Sequence, residues 1–429
     1  MQSNSSNNMQ AEKYSHKTRR FVLGGIFLAI GLFIFFVFAQ NLESDQLTTF
    51  NLNPGTTNTV SAAIPDWVFP TRASINLLTG LCLMLGAYQI ARGFKKLTNL
   101  FLALVVGTFI FSFLSWAASG GSMNLAGLLR ITIIRAVPLT LGALSGILCE
   151  RSGIINIAIE GMMLTAAFVS TVVASLSNLW LGMLSGIVAG AFLAWILGVL
   201  SIKYKINQVI AGTVINIFSI GITSYLSQKF IQKTSFQFLN EPGMFPQFEL
   251  PVLARIPILG QILFNHNIYI FLTILLVAVL TVALFYTRWG LRVRAVGEHP
   301  KAADTLGINV FRTRYTSVIL GGMIAGLAGT YFTLGSSGRF DELLTAGRGF
   351  IGLAAMIFGN WHPVGAFGAS ILFGFFDALA VRANILNVPI PSEFLAMTPY
   401  IATMIVLAGV VGKGHAPAAE GTPYEKESL

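Results

Sequence analysis

Apolar runs recur at about 21–39, 73–91, 98–118, 128–149, 154–176, 179–200, 207–227, 268–286, 315–334, 349–359, 364–381 and 396–411. Most approach the roughly 20 residues that a helix needs to cross the hydrocarbon of a bilayer. Inside lipid every backbone N–H and C=O must find its partner within the protein, which holds such runs to helices. The expected fold is therefore all-α: a polytopic integral membrane protein with about 11–12 apolar membrane segments. The run 349–359 is too short to cross and ends at Asn360-Trp361-His362-Pro363. With 364–381 it is expected to form a broken or re-entrant pair.

Only 10% of the residues are charged, against about a quarter in soluble domains, so the composition fits the same class. The net charge of +10 does not point to nucleic acid, because the basic residues flank the apolar runs. There they set orientation. Cys82 and Cys149 both fall inside apolar runs, which indicates neither a disulfide framework nor a metal cluster.

Residues 1–20 are polar and end in Lys17, Arg19 and Arg20, as expected of a disordered cytoplasmic tail with an anchor. A signal peptide fits poorly, because the run from Phe21 exceeds a normal h-region. Alternating sides from there puts Arg92, Lys95, Lys96, Arg151, Lys203, Lys205, Lys413 and six basic residues of 288–314 inside. Outside fall Arg72, Lys229, Lys233, Arg255, Arg339, Arg348 and Arg382. The bias satisfies the positive-inside rule, with both termini cytoplasmic. The long outer loop 228–267, with Pro242, Pro246, Pro251 and Pro257, is expected to cap the external face.

The polar segment Arg288–Arg314 is the one substantial place where a soluble partner could grip the chain. Pro300 suits the first turn of a short helix and Gly307 its end. His299 suits the position before that helix, and Ala302 with Ala303 offers a small, smooth docking surface.

Glycines and alanines recur every fourth residue at Gly182, Gly186, Gly190, Ala194 and Gly198, and again at Gly142 with Gly146 and Gly322 with Gly326. Such faces permit close helix approach in lipid, more commonly within one subunit than between two.

Charges in the apolar body are functional candidates by default. The densest set is Arg130, Arg135, Glu150, Arg151 and Glu160, around Pro138 and Gly153, which read as an interrupted helix and a break. Glu150 and Arg151 read as marking a cytoplasmic end. Glu160 serves equally as a structural partner or as a pathway residue. Asn156, Asn207, Gln208, Thr213 and Asn216 could hydrogen-bond a solute or bridge helices. Asp377 is a further buried acid, and an ion-pair partner explains it as well as a substrate does.

No Gly-x-x-x-x-Gly-Lys-Ser/Thr is present, so the chain is not expected to hydrolyse ATP itself. No His/Cys/Asp spacing suggests a metal. Ser337 with His362 superficially permits an intramembrane serine hydrolase, but Gly335 and Gly338 make that stretch ordinary turn chemistry. A stand-alone secondary transporter or channel working through Glu160 and Asp377 is the main rival to a partnered permease.

The stretches Arg135-Ala136-Val137-Pro138-Leu139, Cys149 to Met163, Asn207 to Thr213, Gly297 to Ile308 and Gly347 to Pro363 resemble permease subunits of bacterial ABC importers. The similarity is to the nucleoside and simple-sugar branch, related to ribose and branched-chain amino acid permeases, and it runs over roughly 125–412. Membership implies a plasma (inner) membrane importer with a second permease as a heterodimer, two ABC ATPase subunits and an external substrate-binding lipoprotein. ATP and Mg would be bound by the ATPases, and this chain would carry no cofactor. The resemblance makes Gly297, Glu298, His299, Pro300, Ala302, Ala303 and Gly307 the ATPase-coupling segment. Residues 21–124 form an N-terminal extension of three transmembrane helices that short members lack, and 413–429 a cytoplasmic C-terminal tail.

Overall fold

A computed structural model describes residues 2–40, 42–53, 64–386, 394, 397 and 415–426. Among these, ten helices are long and apolar enough to cross a membrane, and one further apolar helix, Arg348–Phe358, is too short to do so. The architecture is the all-α polytopic one expected. The run 396–411 lies outside the described residues except for Met397, as does Lys413. The chain divides into two compact units, residues 1–127 with 381–395 and residues 128–380 with 396–429.

The first unit holds α1 (Gln2–Phe33, continued as π-helix through Ala39), β1 (Leu47–Asn51), β2 (Trp67–Pro70), α2 (Thr71–Ala91), α3 (Thr98–Ala117) and β3 (Ser122–Asn124). Residues 2–20, whose polarity predicts disorder, instead continue α1 toward the N-terminus. The apolar helix beyond them is a ready nucleus, and extending a helix is far easier than starting one. The helices close over Phe27, Ile34, Phe38, Ile75, Leu102 and Val105. The small sheet has the order β2-β1-β3, with Leu47 opposite Pro70 and Thr49 opposite Ser122.

α4 (Leu125–Glu150), α5 (Ile159–Leu176), α6 (Leu179–Gly198, π through Lys203) and α7 (Gln208–Leu226, π through Ile231) follow. The segment 232–267 holds β4 (Phe248–Glu249), α8 (Leu259–Leu263) and β5 (Asn265–His266). Then come α9 (Ile268–Tyr286), α10 (Arg288–Glu298), α11 (Pro300–Thr305), α12 (Val310–Thr330, π through Ser337), α13 (Arg348–Phe358) and α14 (Pro363–Ile385). The run expected from 154 starts as helix only at Ile159, because residues 151–158 form an irregular connection.

The small-residue stripe is used inside the subunit. A Cβ on Gly190 would lie 2.4 Å from the Gly322 carbonyl oxygen, and one on Gly186 would lie 2.2 Å from Thr330 Cγ2. α6 and α12 therefore meet backbone to backbone, where dispersion contacts replace the hydrophobic effect that lipid does not supply. Gly142 and Gly352 bring α4 and α13 together less tightly, with a Cβ on Gly352 at 3.1 Å from Gly142 Cα.

Pro138 sits inside α4 and cannot donate to the carbonyl of Ile134. The Tyr331 hydroxyl donates to that oxygen instead, at 2.8 Å. A buried carbonyl freed by proline needs such a replacement, so one side chain of the α12 extension both repairs and fixes the interrupted helix.

Candidate functional site

The irregular connection 151–158 is buried, so its backbone groups must be satisfied from within the chain. Gly153, at φ +90°, makes the left-handed step after α4 that a side chain would strain. The expected pathway residues supply most of the partners. Gln208 Oε1 accepts from the Ile155 N–H at 2.6 Å. Asn216 accepts from the Gly161 N–H at 2.8 Å and donates to the Ile157 carbonyl at 2.9 Å. Asn207 caps α7 by accepting from the Val209 and Ile210 N–H groups, and the exposed Thr213 donates to the Val209 carbonyl within its own helix. Asn156 is fully buried, its amide against Cys149 Sγ and Met162 Sδ. Gln208 and Asn216 thus tie α7 to the α4–α5 connection, while the bonds of Asn207 and Thr213 stay within α7.

Glu160 plays the same part for the half-helix. Its Oε1 accepts from Thr345 Oγ1 (2.6 Å) and the Gly347 N–H (2.8 Å), and its Oε2 from the Gly349 N–H (2.7 Å). A carboxylate at the first turn of α13 takes up amide donors that have no partner in the helix and opposes the positive end of its dipole. Glu160 is thus a bracket between α5 and the start of α13.

The open polar face lies beside this bracket. Asp377 pairs with Arg135 at 3.2 Å and with Arg348 at 3.9 Å, and the side chains of Arg135 and Asp377 are 34% and 37% exposed. Arg348 was expected in an outer loop. The signal that could have placed it correctly is the length of the helix it starts. Eleven residues rise only about 16 Å, half a bilayer, so the first of them sits within the membrane's depth. Arg135, Arg348 and Asp377 thus form one partly exposed ionic cluster within the membrane body.

At the far end of α4, Glu150 Oε2 accepts from Trp361 Nε1 at 2.6 Å, and Arg151 Nε donates to the Trp361 carbonyl at 3.1 Å. Asn360 and Trp361 have φ of +54° and +52°, a left-handed pair that costs about 1–2 kcal/mol per residue and needs such anchors. Burial lowers the pKa of the Arg151 guanidinium, with the charge of Glu298 opposing the shift.

The same end carries the short helix α11, the segment expected to dock a partner. Thr287 caps α10 by accepting from the Gly290 N–H. His299 Nδ1 accepts from the Ala302 N–H at 3.1 Å, Pro300 opens α11, and Gly307 leaves at φ +83°. Gly297 packs on the break itself, since a Cβ there would lie 2.2 Å from the Arg151 carbonyl oxygen. Of the two alanines expected at the surface, Ala302 is exposed and Ala303 is not. Ala303 is buried with Val296, Val310 and Tyr424 and faces inward. The outward face carries Lys301, Ala302, Thr305 and Leu306, and Leu306 is 82% exposed. A six-residue helix turns fewer than two full circles, and Ala303 is the position that falls toward the body.

The hydroxyl of Ser337 lies 2.9 Å from the Phe332 carbonyl oxygen and 2.5 Å from that of Arg339, while His362 stacks on Phe285 with ring centres 4.5 Å apart. Each is engaged where it stands.

Residues 128–411 match the family model described as the permease component of the branched-chain amino acid transport system. The chain is 38% identical over 309 residues to the guanosine ABC transporter permease protein NupQ of Bacillus subtilis, covering 69% of this chain and 95% of that one. It is 39% identical over 321 residues to the nucleoside ABC transporter permease protein NupC of Lactococcus lactis, covering 71% and 99%. The glucose ABC transporter permease protein TsgB13 of Haloferax volcanii is 31% identical over 255 residues, covering 56% and 66%. No solved structure matches the chain.

Proposed function

This chain belongs to the branched-chain amino acid transport system permease family, and from that premise we propose that it forms half of a translocation pathway for an uncharged polar solute. As an ABC permease it is the transport component of an importer and works with ATPase and substrate-binding partners. The two relatives that match nearly end to end are named for guanosine and nucleosides, which makes a nucleoside the first substrate to test and a sugar the second. The charge pattern supports that choice. In transporters built on broken helices, a free half-helix N-terminus serves anionic groups. Here Glu160 already occupies that position, and Glu160 and Asp377 together offset the two charges of Arg135 and Arg348.

The observation that carries the coupling is the exposed face of α11, where Leu306 protrudes from a short helix fixed at its root by Gly297 and Ala303. A small helix with an apolar knob suits a groove on a soluble partner. Basic residues gather at this end, including Arg151, Lys205, Arg288, Arg292, Arg294 and Lys301, which supports a cytoplasmic position and cytoplasmic ATPases. A second permease subunit completes the pathway across the face that carries Asp377. The plasma membrane of a bacterium is the proposed location.

The test is uptake by proteoliposomes that hold this chain, its second permease, the ATPase and the binding protein. ATP-driven uptake is expected from the full set and none from this chain alone. Leu306→Glu is expected to lower uptake at least about tenfold, roughly 1.4 kcal/mol, as for loss of an interface hot spot, with insertion and thermal stability unchanged. Uptake by the lone chain down an ion gradient would support the rival carrier instead. Glu160 and Asp377, the acids that such a carrier needs, are bonded in place.

A further inference from the structure

Residues 415–426 belong to the segment expected as a cytoplasmic C-terminal tail, yet they run as an irregular strap, with a turn at 418–421, across the end of the second unit that carries the lever, α10–α11. The Ala419 N–H donates to the Gly297 carbonyl at 2.9 Å, and the Ala418 N–H donates to Glu298 Oε2 at 3.2 Å. Both acceptors belong to the last turn of α10. The Gly421 N–H donates to the Gly153 carbonyl in the α4–α5 break at 3.1 Å. Arg314, 1% exposed, donates from Nε to the Ser152 carbonyl and from Nη1 to the Thr422 carbonyl, and so joins α12, the break and the strap. The His415 N–H donates to Asn360 Oδ1 in the α13–α14 turn at 3.1 Å, and Lys205 in the α6–α7 connection pairs with Glu425. Tyr424 closes the cluster around Ala303 and lies against Phe311, with ring centres 5.4 Å apart.

One short segment thus bonds to the α4–α5, α6–α7 and α13–α14 connections and to the lever. Besides the strap, Gly297 packing and the charge of Glu298 near Arg151 connect the lever to the break. We propose that residues 415–426 are a positioning element for coupling, a strap that makes these connections move with α10–α11 as one body. This rests on the reading of α11 as the ATPase-driven lever. Glu420 supports it, since its side chain hydrogen-bonds Glu150 at the end of α4, and burial pushes its carboxyl above the usual carboxylate range against that bond.

The experiment compares the full importer with one whose permease stops before His415, and measures solute molecules imported per ATP hydrolysed. Networks between coupled sites typically change coupling by about 3- to 30-fold when cut. Uptake per ATP is expected to fall by that range while the permease still co-purifies with its ATPase and ATP hydrolysis continues. Adding a synthetic peptide of residues 413–429 is expected to restore it. If the truncated chain fails to assemble, Glu420→Leu is expected to lower uptake per ATP, and Glu420→Gln, which keeps a hydrogen bond to Glu150, to retain it. An unchanged ratio in the truncated importer, or equal ratios for the two point variants, overturns the strap's role. Absence of ATP-driven uptake from the intact importer overturns the lever reading itself, and the two failures are thereby distinguished.

Discussion

Glu160→Ala is expected to destabilise the permease by roughly 3–5 kcal/mol, the cost of removing a buried charge whose partners stay behind. Three donors would lose their acceptor together: Thr345 Oγ1 and the N–H groups of Gly347 and Gly349. Lipid offers them no water in exchange. Glu160→Gln would keep one acceptor oxygen and turn an NH2 toward a donor, so an intermediate loss of about 1–3 kcal/mol is expected. Thermal unfolding in detergent measures both. The pair of variants also separates two roles for this acid. A proton carrier replaced by Gln would lose ion-driven transport and keep its stability, whereas a bracket replaced by Gln loses stability first.

The second large effect is expected at the crossing of α6 and α12. Gly190→Val places its Cβ 2.4 Å from the Gly322 carbonyl oxygen and 2.6 Å from Gly326 Cα, and both obstacles are backbone. The helices must separate, at about 3 kcal/mol or more, the upper end of overpacking costs. The reciprocal change, Gly322→Val, meets Ala194 Cβ at 2.1 Å and is expected to do the same. Gly368 in α14 is the control, because a Cβ there meets nothing within 4 Å. Gly368→Ala is expected to be neutral or stabilising by less than about 1 kcal/mol. The folded fraction recovered from membranes reads all three. If Gly190→Val left the subunit folded and only weakened pairing of permeases, the stripe would be an interface between subunits.

The order and length of the helices are legible in the apolar runs, because bilayer thickness sets one length scale for all of them. The half-helix is legible for the same reason, as the one run that breaks the scale. The lever is legible too, since Pro300 and Gly307 fix where a short helix starts and stops. Which way it faces is not. Ala302 and Ala303 are chemically alike, and only packing against Val296, Val310 and Tyr424 tells the buried one from the open one. The amides near the break are identified as polar groups in an apolar setting, but their partners are main-chain atoms of residues 155, 157 and 161, which no side-chain pattern announces. Arg348 is misplaced by counting sides, because a re-entrant helix begins at mid-depth. The strap is hidden for a different reason: most of its bonds are made by backbone, and a segment such as Ala416-Pro417-Ala418-Ala419 carries no signature of them.

The account stands on α11 being reached by a soluble ATPase from the cytoplasm, and a cysteine at Leu306 tests this most directly. Cys82 and Cys149 are buried, so a membrane-impermeant thiol reagent reads the new site against a low background. The Leu306→Cys variant is expected to stay unlabelled in intact cells, to label in inside-out vesicles, and to lose that labelling when the ATPase subunits are bound. Labelling from the outside of intact cells would contradict both the orientation and the coupling.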